Sequence, residues 1–159
     1  MATSFHWKKG TFSSTYNLFA GTNWVGELRE NMLSQSAVGM LNEQKYEFKT
    51  NGSLNQKTEI RDISKGTAVG SITYNAIRTK AEINLYGKKF TWSFDNVWSS
   101  KWSISNSREI IIDYQGSSSK GKIEASTNNE LLLLSGLYIT NYYWQITTVL
   151  IIIICILII

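Results

Sequence analysis

The C-terminal stretch constrains what this chain can fold into more than any other feature. From Leu131 to Ile159 no residue is charged, and from Val149 onward every residue is apolar. Ahead of Asn129 no segment offers a convincing helix longer than about three turns, and the chain reads as short strands. A single hydrophobic helix that closes a β protein is either an anchor in a bilayer or the central plug of a barrel.

A chain of 159 residues is one domain's worth and buries a substantial core without metal or disulfide staples. Its one cysteine, Cys155, lies in the apolar tail, where it forms no internal disulfide and is expected to be buried; a reducing compartment fits. The N-terminus from Met1 to Lys9 has no apolar run and no small-residue cleavage pattern. No secretory signal is evident, so the folded body is expected to be cytoplasmic. Sixteen basic residues are dispersed among twelve acids for a net charge of +4. With no basic block, nucleic acid is not an expected partner. Trp7, Trp24, Trp92, Trp98 and Trp102 fall in strand-like segments, where large aromatic side chains fill core.

Two segments match at an offset of 44 without a gap. Val25-Gly26-Glu27-Leu28 aligns with Val69-Gly70-Ser71-Ile72, Ala37 with Ala81, Leu41 with Leu85, and Lys45-Tyr46-Glu47-Phe48 with Lys89-Phe90-Thr91-Trp92. A third, partial copy is expected at a further offset of 51, with Ile60-Arg61-Asp62 against Ile111-Ile112-Asp113 and Gly70-Ser71-Ile72 against Gly121-Lys122-Ile123. Turn residues separate the strands, as in Asp62-Ile63-Ser64-Lys65-Gly66 and Asp113-Tyr114-Gln115-Gly116-Ser117, which predicts antiparallel hairpins. Alternation in Tyr46-Glu47-Phe48, Phe90-Thr91-Trp92-Ser93-Phe94 and Trp102-Ser103-Ile104 gives each strand one buried and one wet face. About ten to twelve strands of ~5–6 residues would close as a barrel or sandwich.

The Asp-(seven residues)-Gly-x-Ile hairpins, the Tyr/Phe-x-Phe/Trp strands and an apolar helix after Asn128-Asn129-Glu130 resemble the tubby-like superfamily. That superfamily includes tubby C-terminal domains, LURP-one-related proteins and phospholipid scramblases. The resemblance runs from about Thr11 to the C-terminus and lies in pattern and order of elements, the motifs being degenerate. It implies a mainly β fold: a closed antiparallel barrel of about twelve short strands around a hydrophobic C-terminal helix, with the LURP-one-related group nearest in size. On that reading 1–129 is barrel, 130–148 the central helix and 149–159 an apolar C-terminal extension of a single 1–159 domain.

The family's functional residues carry over poorly. Tubby domains bind phosphoinositide through basic residues on neighbouring strands, and the matching candidates here are Arg78 and Lys80, expected on one strand face. A solvated strand face is the plainer reading of the pair. With Tyr86-Gly87 as the next turn, Lys88 and Lys89 lie at the far tip of the hairpin and do not join them. The proline-rich arm, cysteine cluster and acidic calcium segment of scramblases have no counterpart in the sequence.

An enzyme is not expected. His6 is the only histidine, so neither a His-based triad nor a multi-His metal site can form. Asp62 and Asp113 sit where turns use an Asp side chain to accept backbone N–H groups, and no phosphate-cradling loop is present. No cofactor or metal is called for.

A bilayer core of about 30 Å needs ~20 apolar helical residues. The strictly apolar run from Val149 has eleven, and extending back to Ile146 gives fourteen with two threonines, about 21 Å of helix, which is short for a crossing. Upstream, Asn141, Gln145 and Thr148 share one helical face and would need partners, which barrel strands can supply. Tyr142, Tyr143 and Trp144 suit either a membrane interface or a barrel rim. The expectation is that Leu131 to about Gln145 fills the barrel. Val149, Leu150, Ile151, Ile152, Ile153 and Ile154 then belong to an emergent segment that docks on a membrane, with anionic lipid a candidate partner. The runner-up is a soluble barrel that keeps the whole tail inside and acts as a protein-binding or scaffold module. The β-branched run is also compatible with a buried strand.

Overall fold

Alternating side chains and tight turns carry the chain through twelve antiparallel strands, described in the computed structural model for residues 2–31, 33–52, 56–107 and 109–158. The first half comprises β1 (Thr3–Lys8), β2 (Thr15–Ala20), β3 (Asn23–Asn31), β4 (Ser36–Leu41), β5 (Gln44–Asn51) and β6 (Lys57–Asp62). The second comprises β7 (Thr67–Tyr74), β8 (Lys80–Leu85), β9 (Lys88–Phe94), β10 (Lys101–Asn106), β11 (Glu109–Gly116) and β12 (Lys120–Ala125), followed by helix α1 (Glu130–Ile158). Each strand pairs with its sequence neighbours, and β1 pairs with β12 from Thr3 opposite Ala125 to Lys8 opposite Lys120. The sheet closes on itself and leaves no free edge. The fold is therefore the expected closed antiparallel barrel of twelve strands with one C-terminal helix.

The offset-44 repeat is structural. It superposes β3–β5 on β7–β9, including two-residue turns at Asn42-Glu43 (φ 46° and 72°) and Tyr86-Gly87 (φ 51° and 78°). Positive φ at both turn residues matches the twist of the strands they join. The matched Val25 and Val69 each form a β-bulge, where the ladder steps over one residue. The third copy is real but lies one strand earlier than expected. Its bulge is at Ile111 in β11, so Ile111 is the counterpart of Val69, and the barrel is built from units of four strands. The hairpin proposed from Asp113 and Gly121 fails on register. Gly70 pairs with Ile60, whereas Gly121 pairs with Gly116.

The two aspartates separate accordingly. Asp62 is buried and accepts the Lys65 N–H at 3.1 Å, the turn role expected of it. Asp113 is exposed in mid-strand, opposite Ser103 and Glu124, and makes no turn. The core assignment of tryptophans also divides. Trp7, Trp92 and Trp102 are fully buried, but Trp24 and Trp98 are exposed. The bulge at Val25 turns Trp24 outward opposite Phe19. Trp98 lies in the loop between β9 and β10, beside Ser99 at φ 54°.

A barrel of about eight strands is filled by its own side chains, and a wider one needs another filler. Here that filler is α1, a cylinder of about 10–12 Å with its side chains. Asn129 caps it by accepting the Leu132 N–H at 3.0 Å, and Glu130 accepts from the Asn42 side chain at 2.6 Å, which fixes the entry point. Leu131 to Tyr143 are buried without interruption against inward residues such as Phe48, Ile72, Trp102 and Ile123. Ser135 and Thr140 satisfy their hydroxyls inside the helix by donating to the carbonyls of Leu131 and Gly136. Trp144, Gln145 and Ile146 are half-buried, and Thr147 to Ile158 are exposed. The run is helical throughout, not a strand, and the alternative with the whole tail internal does not match it. Cys155 is exposed, contrary to expectation, because it lies beyond the barrel.

Candidate functional site

Antiparallel order sends alternate connections to opposite ends of the barrel. The helix enters beside the β4–β5 turn and leaves at the end formed by the β1–β2, β3–β4, β5–β6, β7–β8, β9–β10 and β11–β12 connections. At this exit the polar stripe of α1 finds the partners it needs. Tyr16 donates to Asn141 Oδ1 at 2.7 Å, and Gln145 Nε2 donates to Glu30 Oε2 at 3.2 Å. The third member, Thr148, donates to the Trp144 carbonyl. Tyr143 donates to the Lys80 carbonyl at 2.6 Å, and the Tyr138 hydroxyl meets Thr50 Oγ1 at 2.6 Å. Tyr142 packs against Tyr74 in a tilted pair with ring centres 4.5 Å apart. Apart from Thr148, whose bond lies within α1, these residues clamp the helix in the rim.

Glu30 is the chemically distinctive group here. It is buried, its Oε2 lies 3.6 Å from Lys9 Nζ, and its Oε1 has no partner. Burial pushes its carboxyl up to about 7, partly opposed by Lys9 and Gln145. The neighbouring Tyr16 hydroxyl is also raised, by burial and then by the Glu30 charge. A carboxyl raised in the folded state binds its proton there and releases it on unfolding. The contribution of Glu30 to stability is thus greatest at low pH and declines as pH rises from the ordinary carboxylate range through about 7. Glu30→Gln is expected to flatten the melting temperature across that window, as read by circular dichroism at a series of pH values.

Two hollows flank the emerging helix. One, of about 570 Å³, is lined by Lys9, Glu30 and Gln145 at its floor and by Val149, Leu150 and Ile152 along its wall. The other, of about 490 Å³, lies between Ile77, Arg78, Trp98, Trp144 and Thr147. Arg78 does not share a strand face with Lys80 as expected. It stands in the β7–β8 loop at φ 56°, and β8 begins only at Lys80. The loop is shaped by Asn75 Oδ1, which accepts the N–H groups of Thr79 and Lys80. Both basic residues nonetheless stand at the exit end, and neither has an ion-pair partner among the described residues. Lys88 and Lys89 are at the opposite end, where Lys89 pairs with Glu82 at 3.2 Å.

Beyond the rim, Ile151, Ile152, Ile153 and Ile154 are 56%, 52%, 47% and 53% exposed. Four successive residues sample the full circumference of a helix, so no face of this segment packs on the barrel. Sequence reasoning found this segment and the polar stripe. It missed Glu30, whose signal was available only as an inward position in the β3 alternation Gly26, Leu28, Glu30. Neither protein-family models, nor curated proteins, nor solved structures give a match to this chain.

Proposed function

We propose that this chain is a non-enzymatic, tubby-like barrel that is held on a cytoplasmic membrane surface by the emergent end of α1. The observation that carries the reading is the uniform exposure of the apolar turns from Val149 to Ile158. Leaving them in water costs on the order of 10–20 kcal/mol at ~25 cal/mol per Å². The exposed segment from Thr147 to Ile158 is about 18 Å long, close to half of the ~30 Å hydrocarbon core, so its length suits one leaflet rather than a crossing. The strand number, the closure and the position of the helix agree with the tubby-like resemblance, which supplies the plug but not the ligand. Arg78 and Lys80 are the candidate contacts to anionic headgroups.

Flotation with vesicles tests this. The full chain is expected to float with neutral phosphatidylcholine vesicles, and chains ending at Thr148 or carrying Ile151→Asp/Ile154→Asp are expected to stay in the soluble fraction. Undiminished flotation of both would remove the tail from the mechanism. On vesicles containing phosphatidylserine, Arg78→Ala/Lys80→Ala is expected to weaken binding by roughly tenfold or more, at ~1 kcal/mol per basic residue near the surface. Unchanged affinity would remove the pair from the headgroup contact.

A further inference from the structure

The exit end carries a second apolar feature besides the helix. Among the described residues outside α1, the large apolar side chains exposed by three-quarters or more are Phe12 (102%), Leu33 (100%), Ile77 (77%), Val97 (90%) and Trp98 (84%). They come from different connections: β1–β2, β3–β4, β7–β8 and β9–β10. All of those connections are at the end from which α1 emerges. The β11–β12 connection breaks the pattern with Ser117, Ser118 and Ser119. Among the described residues the opposite end has only partly exposed apolar side chains, Trp24, Ile63, Tyr86 and Ile110, at 46–62%.

Charge divides along the same axis. Lys8, Lys57, Lys80, Lys101 and Lys120 are exposed at strand ends on the exit side, with Arg78 in the loop beside them. The acids there are Asp95 and the buried Glu30, which Lys9 already faces. At the opposite rim the charges balance among the described residues, Glu43, Asp62, Glu109, Glu124 and Glu130 standing against Lys45, Arg61, Lys65, Lys88 and Lys89. Apolar loop tips beside cations that have no ion-pair partner among the described residues match a leaflet with an apolar interior and anionic headgroups. A protein partner would be expected to carry a matching acidic rim around a deep apolar socket, and the length of the exposed helix suits a leaflet better.

We infer that the exit face is a membrane-docking collar. Phe12, Leu33, Ile77, Val97 and Trp98 enter the interface of an anionic leaflet around the inserted helix and stand the barrel upright on it. This rests on the tail reading above, and it adds a fixed orientation and a lipid class that the tail alone does not specify. Insertion of a single helix would leave the barrel free to tilt. Loop tips spaced around the rim would not.

A polarity-sensitive thiol fluorophore separates the two claims in the full chain. The native Cys155 reports on the tail. Val97→Cys and Leu33→Cys, each in a Cys155→Ser background, report on the collar, and Ser64→Cys in that background reports on the far end. The vesicles are phosphatidylcholine alone, or with roughly one phosphatidylserine in three. On the mixed vesicles, labels at 155, 97 and 33 are expected to shift to the blue and become shielded from aqueous iodide, while the label at 64 does not. Binding is expected to be at least about tenfold tighter on the mixed vesicles than on the neutral ones and to weaken with salt. Shielding at 155 with positions 97 and 33 still in water would overturn the collar and leave the tail reading intact. A label at 155 that stays in water would remove both. Shielding at 64 as well would overturn the fixed orientation, and equal affinity for the two vesicles would overturn the anionic leaflet.

Discussion

A chain ending at Asn129 does not fold, whereas one ending at Thr148 melts cooperatively at nearly the temperature of the full chain. That is the expected outcome of thermal unfolding followed by circular dichroism without detergent. The shorter chain loses Leu131, Leu132, Leu133, Leu134, Leu137, Tyr138, Ile139, Tyr142 and Tyr143, all buried in the lumen. At ~1.5–3 kcal/mol for each large apolar side chain, the loss is on the order of 15–25 kcal/mol, above the ~5–15 kcal/mol by which domains are stable. A compact unfolded state reduces this figure by about 10–40%, to roughly 9–22 kcal/mol, which still equals or exceeds the whole stability of a typical domain. The longer chain keeps every buried residue and the hydrogen bonds of Asn141, Gln145 and Tyr143. Cooperative melting of 1–129 would mean that the barrel does not depend on its plug.

Gly136→Ala is expected to destabilise the protein by about 2–4 kcal/mol, although alanine is the better helix former by ~1 kcal/mol. The reason is the space at Gly136, where an added Cβ would overlap the ring and hydroxyl of Tyr114 and crowd Ile104. Tyr114 cannot swing aside. It is buried, stacks on Trp102 with ring centres 5.4 Å apart, and donates to the Leu133 carbonyl at 2.9 Å. Displacing it leaves the buried Tyr114 hydroxyl unpaired, which adds ~1–3 kcal/mol to the packing strain. Denaturant unfolding measures the effect. A stabilised Gly136→Ala would show that helix propensity outweighs the contact.

The parts of this fold legible from sequence were those governed by local rules. Alternation marked the strands, Tyr86-Gly87 marked a tight turn, and the Asn141–Gln145 stripe showed that the first half of the tail needs polar partners. What was not legible depended on register. The Val25 and Ile111 bulges change which residues face inward, so Trp24 read as core and the third repeat was placed a strand late. Arg78 read as a strand residue because nothing in its identity announces a left-handed backbone. The gathering of apolar loop tips at the exit end escaped notice for another reason. Phe12, Leu33, Ile77 and the Val97-Trp98 pair are far apart in sequence and resemble stray strand residues until closure brings their loops to one end.

Closure also sets a timetable. The barrel is sealed by β1 meeting β12, near opposite ends of the strand order, and its interior is filled by a helix that follows both. During synthesis the strands emerge first, with inward faces that have nothing to pack on. Such long-range pairing is intrinsically slow, and waiting apolar faces are prone to aggregate. The exposed apolar turns from Val149 to Ile158 are made after the residues of the plug, so the order of synthesis lets the barrel seal before they emerge, and it makes early strands clients for chaperones.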